Sequence, residues 1–579
     1  MLKRVLNIDL TNETYKIEEM ENLFTLFLGG IGTGIRLLER NCPESTDSNS
    51  ENAPIIFCIG TLEGLFPCCS KTAAVFKSPL TGNLGESYAG GKLGLAMRFA
   101  DYGAIVIKGK AKRSTYISIH NEDVKFHNAT TLKGLSTYAT ARVLREVEKR
   151  KGIQSIVTIG PAGERLIRYA NVNVDTYRHF GRLGLGAVFG SKNLKAITIS
   201  GNQSYEIDDK KTYKTVYRAI YDILINTPIM QKYHDLGTSV NILPLNELRC
   251  LPTRNLQTSS FEGADKISGE LFASEYLTKK IACGQCPIGC IHIATIRIPF
   301  GSEHEYESMK VPYDYEPLFS LGTMLGISSP EEVMRLIEIV DGKGLDAMST
   351  GVILAWATEA YEHGLISAKE TMGIPLYWGK GDNYRKIIEN LVNGSNEFYK
   401  ILSTGVLKAS GIFGGHDYAL ELGRNEIAGY HCGYATILGQ LYGGRHSHLD
   451  NGGYALDQKL HSNPMEPEKI VETLILEEQG RCVFNSLVAC LFARGMYTDK
   501  IISDALEVAG IKRTPEELAE LGELIYTERF KFKIREGFDL DNLKIPKRFY
   551  ETESFNGMLN EKNMEKLAEI YRERIKGLL

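Results

Sequence analysis

The chain has 579 residues, 43% hydrophobic and 24% charged, a composition typical of folded globular proteins and long enough for about three or four domains. Its 67 Lys and Arg against 71 Asp and Glu give a net charge of −4, so no overall basic field favours nucleic acid or an acidic membrane. No apolar run of about 18 residues predicts a membrane span, and the N-terminal apolar segment is too short for a signal peptide. We therefore expect a cytoplasmic protein with neither a nucleic-acid nor a membrane partner.

The first 200 residues are rich in predicted strands. Short β-branched runs lie at residues 4–10, 54–60, 104–108, 115–120, 154–160 and 196–200. Glycine-rich segments separate these runs, and one amphipathic helix is predicted over residues 138–151. A polar stretch at residues 202–211 predicts a domain boundary. No internal repeat is visible in this region.

The chain becomes helical in pattern after about residue 210. Ser329 is a predicted N-cap, Pro330 occupies the first helical position and Glu332 completes a capping box. Glycines at 342 and 344 are expected to end that helix, and a glycine-rich break at 411–415 predicts a second boundary. A charged helix is predicted after residue 560. We predict an α+β multidomain fold: a β-rich domain over residues 1–205, then mainly α-helical domains over 206–410 and 411–579.

The sharpest motif is a group of three cysteines among the chain's 11. It contains Cys283, Cys286 and Cys290 in a C-x2-C-x3-C spacing. Thiolates so close together favour an iron–sulfur cluster or zinc. A four-iron cluster needs a fourth thiolate, for which Cys482 and Cys490 are the candidates. The alternative is a zinc site completed by His292.

Two acidic residues flank the predicted end of the capped helix. Asp341 lies where a carboxylate faces the negative end of the helix dipole, and Asp346 follows after two glycines. A donor-rich planar heterocycle would suit these carboxylates. The alternative is a solvated loop. Earlier in the chain, cations among glycines, including Arg178 and Arg182, suggest a phosphate site, with a basic solvated loop as the alternative.

Six strings, in family order, resemble the tungsten-containing aldehyde:ferredoxin oxidoreductases. They are SPLTG at 78–82, GPAGE at 160–164, GAVFGSKNLKAI at 186–197, CGQCPIGC at 283–290, GLDAMSTG at 344–351 and GYAT at 433–436. The resemblance implies a β-rich base under a bis-pterin cofactor of tungsten or molybdenum, with two helical domains closing over it. Pterin sulfurs, rather than protein side chains, would hold the metal.

The resemblance also implies site residues. Pterin and phosphate contacts fall on Lys71, Tyr88, Gly90, Arg178, His179, Gly181 and Arg182. One pterin would be held by Asp341, Leu345 and Asp346, and the other by His448, Asn485 and Ala489. Cys490 would be the fourth ligand of a 4Fe–4S cluster. Backbone carbonyls of Tyr88 and His179 would bind an Mg²⁺ that bridges the pterin phosphates.

The chain departs from the family pattern at several of these positions. The family has an arginine at the position of Lys71, an asparagine at Tyr88, an alanine at His179 and a lysine at His448. The second pterin turn, residues 485–490, reads N-S-L-V-A-C rather than repeating the Asp-x-x-Gly-Leu pattern. Positions 335 and 338 carry Arg and Glu where the family has the ligands of a dimer-bridging metal, so we expect no bridging metal.

The resemblance implies that an aldehyde is oxidised to a carboxylic acid and that electrons leave through the cluster to ferredoxin or another electron-transfer protein. Glu316 and His446 match the family's proton-handling pair. We expect burial to raise the pKa of Glu316; a salt-bridged core acid and a hydrogen-bonded core histidine are the alternatives.

Other functions stay open on the sequence. They are low-potential reduction, for example of an aromatic thioester, on the same cofactor; a non-catalytic cofactor or electron-transfer subunit; and a zinc-stabilised binding protein. A homodimer, or a complex with an electron-transfer subunit, is possible on the sequence.

Overall fold

The computed structural model describes residues 2–204, 207–300 and 305–579. The predicted boundary at residues 205 and 206 lies outside these residues. A β-rich N-terminal part is followed by a mainly helical part, which confirms the predicted fold class. Within the described ranges, no helix is both long enough and apolar enough to span a bilayer.

The N-terminal part contains two six-stranded mixed sheets. The first consists of β1 (Arg4–Asp9), β2 (Thr14–Glu19), β3 (Ile55–Cys58), β4 (Thr72–Lys77), β5 (Leu84–Ala89) and β6 (Ala104–Lys108), in the order β2-β1-β6-β3-β4-β5. The second consists of β7 (Thr115–His120), β8 (Asp123–Asn128), β9 (Ile153–Thr158), β10 (Val172–Val174), β11 (Arg178–Phe180) and β12 (Leu194–Gly201), in the order β11-β10-β9-β12-β7-β8.

These two sheets repeat one topology, which the sequence did not reveal. Adding six to each strand number of the first sheet gives the strand order of the second sheet, read from its other edge. The pairs β1–β6 and β7–β12 are parallel, and the other pairs are antiparallel. The helices of this part are α1 (Glu21–Phe27), α2 (Gly30–Asn41), α3 (Leu93–Phe99), α4 (Thr137–Val147), α5 (Pro161–Glu164) and α6 (Leu185–Ser191). Helices α3 and α6 take equivalent places, directly before β6 and β12.

The second part begins with helices and a three-stranded antiparallel sheet. Its helices are α7 (Lys210–Asn226), α8 (Pro228–Leu236), α9 (Ile242–Glu247), α10 (Gly269–Leu271), α11 (Tyr315–Leu321), α12 (Pro330–Lys343), α13 (Ala347–Glu362), α14 (Gly381–Asn393), α15 (Glu397–Leu402) and α16 (Val406–Phe413). The sheet is formed by β13 (Leu277–Ile281), β14 (Ile291–Pro299) and β15 (Tyr306–Tyr313). The three-cysteine motif is the connection between β13 and β14.

The rest of the chain is helical apart from one short hairpin. The hairpin strands are β16 (Glu421–Leu422) and β17 (Asn425–Glu426). The helices are α17 (Tyr434–Tyr442), α18 (Gly453–Leu460), α19 (Pro467–Ser486), α20 (Asp499–Val508), α21 (Pro515–Arg535), α22 (Arg548–Glu551) and α23 (Glu561–Leu578).

Helix α12 begins at the predicted Ser329 cap and ends at the predicted Gly344, but the reciprocal Glu332 side-chain bond of a capping box is not among its described contacts. The Ser329 side chain accepts a hydrogen bond from the Glu332 amide at 3.3 Å and starts α12. Gly344, at φ 78°, ends that helix in the left-handed conformation. The boundary predicted between residues 410 and 411 falls inside α16. The chain breaks a few residues later, at Gly414 and Gly415, which both have positive φ.

The ends of α12 and α19 dock on the two sheets in the same way. Leu345, after α12, forms an antiparallel bridge with Ala170, just before β10. Ala489, after α19, forms an antiparallel bridge with Cys69, just before β4. Because β10 and β4 are equivalent strands of the repeat, the two helix-end turns occupy equivalent positions.

Glycines allow this close approach at both places. A Cβ on Gly60, after β3, would lie 2.2 Å from the Leu487 carbonyl oxygen, and a Cβ on Gly160, after β9, would lie 2.2 Å from the Lys343 carbonyl oxygen. Real Cβ contacts are far longer, so both glycines are required by backbone packing. The fold therefore brings two matched turns to one place between the sheets.

Candidate active site

A cavity lies where the two sheets and the two helix-end turns meet. It encloses about 1640 Å³ of space free of protein atoms, part of it open to solvent. Of the residues predicted from the sequence, its lining includes Lys71, Tyr88, Arg178, His179, Gly181, Arg182, Glu316, Asp341, Asp346, His448, Asn485, Ala489 and Cys490. A Cβ on Gly181 would meet no atom within 4 Å, so the backbone there faces open space.

Gly90 and Leu345 lie just outside this lining. A Cβ on Gly90 would be 2.6 Å from Cys283 Sγ and 3.2 Å from Lys71 Nζ, so Gly90 permits the cysteine motif to approach β5. Leu345 is fully buried, and its carbonyl accepts a hydrogen bond from Asn171 Nδ2 at 2.7 Å. Both residues contribute backbone rather than side chains to this region.

Cys490 lies among the cysteines of the motif. Burial raises the pKa of the Cys490 thiol against the opposing charge of Lys71, and the nearby charges of Cys286 and Cys283 add to the rise. Burial and the charges of Cys490 and Cys283 raise the pKa of Cys290 to about 12. The structure therefore brings the fourth predicted thiol to the other three.

A fifth thiol, from Cys68, is also present there, and the sequence interpretation missed it. Cys68 Sγ lies 3.7 Å from Cys286 Sγ, and the Cys68 carbonyl accepts a hydrogen bond from the Cys490 amide at 2.9 Å. The sequence signal that could have identified Cys68 is its position three residues before Lys71, a predicted cofactor contact.

The two alternatives for completing the cysteine site lie elsewhere. Cys482 Sγ is 3.4 Å from Arg529 Nη1 in the core. His292 Nε2 donates to the His234 carbonyl at 3.0 Å, and burial lowers the pKa of its ring although that hydrogen bond opposes the shift. Within the described ranges, no three His, Cys, Asp or Glu side chains are arranged to hold a single metal ion.

Glu316 and His448 form a pair in the cavity wall, with His448 Nε2 3.4 Å from Glu316 Oε1. Burial alone would raise the pKa of Glu316, but the hydrogen bond and charge of His448, with Arg178, lower it below its usual value. The expectation of a raised pKa for Glu316 was therefore wrong, because the sequence did not reveal that His448 and Arg178 lie close to its carboxylate.

The acid with a raised pKa is instead Asp314, two residues earlier. Burial and the charge of Glu316 raise its pKa to about 7, against the opposing charges of Arg178 and Lys71. Arg178 Nη1 lies 3.8 Å from Asp314 Oδ2. In this part of the wall, Glu316 thus supplies an ionised carboxylate and Asp314 a carboxyl group that titrates near neutral pH.

His446 does not reach the cavity lining, which corrects its predicted place in the site. Its Nδ1 donates to the Leu441 carbonyl at 3.0 Å, and its Nε2 accepts from Lys533 Nζ at 3.0 Å. Burial and the charge of Lys533 lower the pKa of His446 well below its usual value. With both ring nitrogens occupied, His446 has the geometry of a structural core histidine, and His448 is the histidine beside Glu316.

The two acids after α12 differ in their surroundings. Burial and the charge of Asp314 raise the pKa of Asp341 to about 8, although Tyr138 Oη donates to it at 3.3 Å. Asp346 caps α13: it accepts from the Met348 amide at 3.0 Å and from Ser349 Oγ at 2.6 Å. Arg182 Nε also donates to Asp346, at 3.2 Å.

The aromatic and histidine residues at the sheet edges are also held by neighbours. Tyr88 Oη donates to Glu86 Oε1 at 2.7 Å, and the guanidinium of Arg445 lies 5.2 Å from the centre of its ring. His179 Nε2 is 3.1 Å from Asn173 Nδ2, and burial with the charge of Arg178 lowers the pKa of His179 to about 3. His179 is therefore neutral.

Several buried polar atoms of the lining have no hydrogen-bond partner among the described residues. The donors are Arg178 Nε, Arg182 Nη1 and Arg445 Nη2, and the acceptors include Asn171 Oδ1 and Asn425 Oδ1. Buried polar groups are normally satisfied, so such a set indicates a bound partner. Asn171, Asn425 and Arg445 were missed from the sequence, although Arg445 directly precedes His446.

Arg445 is held rigidly behind the cavity. It is only 6% exposed, and its Nε donates to Asp450 Oδ1 at 2.7 Å. Arg529 lies behind this pair, with Nε 2.9 Å from Glu86 Oε2 and Nη1 2.9 Å from Glu478 Oε1. This buried network leaves Arg445 Nη2 facing the cavity.

Comparisons with known proteins agree with this architecture. Residues 5–201 match the model of the aldehyde ferredoxin oxidoreductase N-terminal domain, and residues 215–575 match that of domains 2 and 3 of the same family. The active-site complex BamBC of benzoyl coenzyme A reductase, with bound 1,5-dienoyl-CoA, superposes with a TM-score of 0.82, covering 100% of this chain and 99% of that chain at 19% identity. That likeness establishes the fold alone.

Curated relatives match along almost the whole chain. The tungsten-containing aldehyde ferredoxin oxidoreductase of Pyrococcus furiosus is 32% identical over 573 residues, which covers 95% of this chain and 91% of that protein. The WOR-like subunit of an aliphatic sulfonate oxidoreductase from the same organism is 30% identical, covering 91% and 85%. The chain is therefore an enzyme of the aldehyde ferredoxin oxidoreductase family, and a divergent member of it.

Proposed function

We propose that the protein is a cytoplasmic tungsten bis-pterin oxidoreductase that oxidises an aldehyde to a carboxylic acid. Its electrons would pass through a 4Fe–4S cluster to ferredoxin or another electron-transfer protein. The observation that carries the proposal is the set of unsatisfied donors on Arg178, Arg182 and Arg445 around one cavity, beside grouped cysteines. Buried donors without a partner are unfavourable, and guanidinium groups form strong hydrogen bonds to anions, so this set calls for an anionic ligand.

The cavity residues fit a phosphorylated pterin. Guanidinium forks bind phosphate well, and the three arginines present free N–H groups. The acceptors, namely Asp341, Asn485 and the free oxygens of Asn171 and Asn425, suit the N–H groups of a pterin ring. The equivalent turns after α12 and α19 support one pterin on each half of the repeat.

An Mg²⁺ between the two pterins would sit where the sheets meet. Tyr88 belongs to β5 and His179 to β11, and each strand is the edge of its sheet. An edge strand leaves backbone carbonyls on one side without a strand partner, and carbonyl oxygens suit Mg²⁺. The side chains at these positions then matter less than the backbone.

The cysteines support a cluster rather than a single zinc ion. A 4Fe–4S cluster takes four thiolates, and Cys490 adds a fourth to the three of the motif, whereas His292, the residue that would complete a zinc site, is bonded to the His234 carbonyl. We propose Cys283, Cys286, Cys290 and Cys490 as the ligands of the cluster. The charge of Lys71 favours the thiolate forms of Cys286, Cys290 and Cys490.

The bound cofactor would supply redox chemistry and Lewis acidity. The chain would manage the protons that leave as water adds to the aldehyde carbon. Glu316 is ionised at neutral pH and can accept a proton at its carboxylate. His448 holds that carboxylate in place, and Asp314, with a pKa of about 7, can receive the proton next.

A reductive reaction on the same cofactor is the second candidate. The structural likeness to a complex named for benzoyl coenzyme A reductase favours it, while the identity of about a third to proteins named for aldehyde oxidation favours the first. A non-catalytic electron-transfer subunit is the third candidate, and it would need no proton-handling pair.

Metal analysis and turnover of anaerobically purified protein test the proposal. We expect tungsten and four irons per chain, with dye-linked oxidation of aliphatic or aromatic aldehydes. Protein that holds tungsten, oxidises no aldehyde and reduces an aromatic thioester would move the second candidate ahead. Iron without tungsten would favour the third.

A further inference from the structure

The hairpin of α7 and α8 covers the cysteine group. On the α7 side, the Phe66 ring lies 5.6 Å from that of Tyr213 and 6.5 Å from that of Tyr217, centre to centre. Phe66 is two residues before Cys68, whose sulfur is 3.7 Å from that of Cys286. Helix α7 therefore packs against the segment of chain that carries Cys68.

Helix α8 is joined to the same group by separate contacts. The Tyr233 ring stacks on Phe492 with centres 4.2 Å apart, and Phe492 is two residues after Cys490. His234 Nδ1 donates to the Ile288 carbonyl, inside the cysteine motif, at 2.6 Å. The outer face of this hairpin is thus the protein surface above the cysteines.

That surface carries a stripe of cations although the chain is acidic overall. Residues 210–236 contain five Lys or Arg and two Asp, whereas the whole chain has a net charge of −4. Lys210, Lys214 and Arg218 recur every four residues on exposed turns of α7, so they form one stripe. Neither they nor the exposed Lys232 of α8 make an ion pair within the described part of the chain.

We propose that the outer face of the α7–α8 hairpin is the docking surface for a small electron-carrier protein with an acidic face. This inference rests on the proposed function, because it takes the cysteines to hold the cluster. The reduced cluster would give one electron at a time to the oxidised carrier, and no covalent bond would form or break. Unpaired surface cations steer an acidic partner to this place, and Ile225, 40% exposed, adds apolar contact.

The test measures electron transfer without aldehyde. Protein reduced with dithionite and freed of excess reductant is mixed by stopped flow with an oxidised, acidic 4Fe–4S ferredoxin. The variant K214E/R218E is compared with K562E/K566E on α23, where two exposed lysines have the same four-residue spacing. We expect the second-order rate constant of K214E/R218E to fall at least tenfold at low salt, and its salt dependence to flatten.

The control variant K562E/K566E should keep the wild-type rate, and both variants should keep dye-linked turnover. Equal rates for K214E/R218E and the wild type, or equal losses in both variants, would overturn the docking surface. Absent tungsten or absent aldehyde turnover in the wild type would instead count against the proposed function. Wild type without a reducible cluster would overturn both, because no electron could then leave through this face.

Discussion

His448 Nε2 lies 3.4 Å from Glu316 Oε1 in the wall of the cavity. The contact keeps Glu316 ionised, and the charge of Glu316 in turn raises the pKa of Asp314. Proton handling at this site therefore depends on a pair of carboxyl groups in different protonation states, an arrangement typical of acid–base sites.

Glu316→Gln removes the charge with little change of shape. We expect at least a ~100-fold loss of dye-linked aldehyde oxidation, since general acid–base groups contribute about 10²–10⁴-fold. Tungsten and iron content should stay at wild-type levels. Glu421→Gln is the matched control, because Glu421 is also a buried acid but lies outside the cavity lining. Wild-type turnover in Glu316→Gln would contradict the role.

Asp314 should set the pH dependence of turnover. Its pKa is about 7, and only its ionised form can receive a proton. We expect kcat/KM for aldehyde to fall as the pH drops through about 7, and Asp314→Asn to lose that limb of the profile. The same limb in the variant would assign the ionisation to another group.

The two neighbouring histidines should separate activity from stability. His448→Gln removes the partner of Glu316. The pKa of Glu316 should therefore rise, and turnover per tungsten should fall about tenfold or more. His446→Gln breaks bonds to Leu441 and Lys533 in the core, which should cost about 1–3 kcal/mol of stability. Its turnover per tungsten should stay near wild type. Thermal unfolding and kinetics are measured on both variants. Lost turnover in His446→Gln with normal turnover in His448→Gln would refute the assignment.

The sequence was sufficient for the fold class, and most of the residues predicted for the site lie in the cavity lining, because these predictions depend on strand patterns and short strings. It could not distinguish His446 from His448. His446 has φ 55°, and this left-handed turn, which nothing in the string indicates, accompanies a ring bonded into the core. The repeat of the sheets was hidden because it lies in backbone connections rather than in shared side chains. The pKa of Asp314 depends on the charges of Glu316 and Arg178, which only the folded structure brings together.

The cysteine series tests the cluster ligands. Cys490→Ala should abolish the EPR signal of the reduced 4Fe–4S cluster, whereas Cys482→Ala should preserve it, since Cys482 contacts Arg529 in the core. Cys68 is the rival that the structure adds, because its sulfur lies 3.7 Å from that of Cys286. Residual signal in Cys490→Ala that disappears in the Cys68→Ala/Cys490→Ala double variant would mean that Cys68 can replace Cys490. A signal lost only with Cys482 would refute the assignment.

Asp341 should make the cofactor-free protein less stable as the pH rises. Its pKa is about 8 in the fold against an ordinary 3.8, so the folded state holds a proton that the unfolded state has lost between these values. Stability from this group is therefore complete below about pH 4 and declines up to about pH 8. Asp341→Asn cannot ionise, so apoprotein carrying it should unfold at a higher temperature than wild type at pH 8.5 and lose most of that advantage at pH 5.

The holoenzyme should respond in the opposite way. N–H groups of a bound pterin would favour the ionised form of Asp341 and form charge-assisted bonds with it, worth about 1.5–3 kcal/mol, but would form only neutral bonds of about 1 kcal/mol with Asn485. Asp341→Asn should therefore lower tungsten occupancy more than Asn485→Ala does, measured by metal analysis of protein purified side by side. Equal occupancies, combined with the expected gain in apoprotein stability, would place Asp341 at the cavity wall without a pterin contact.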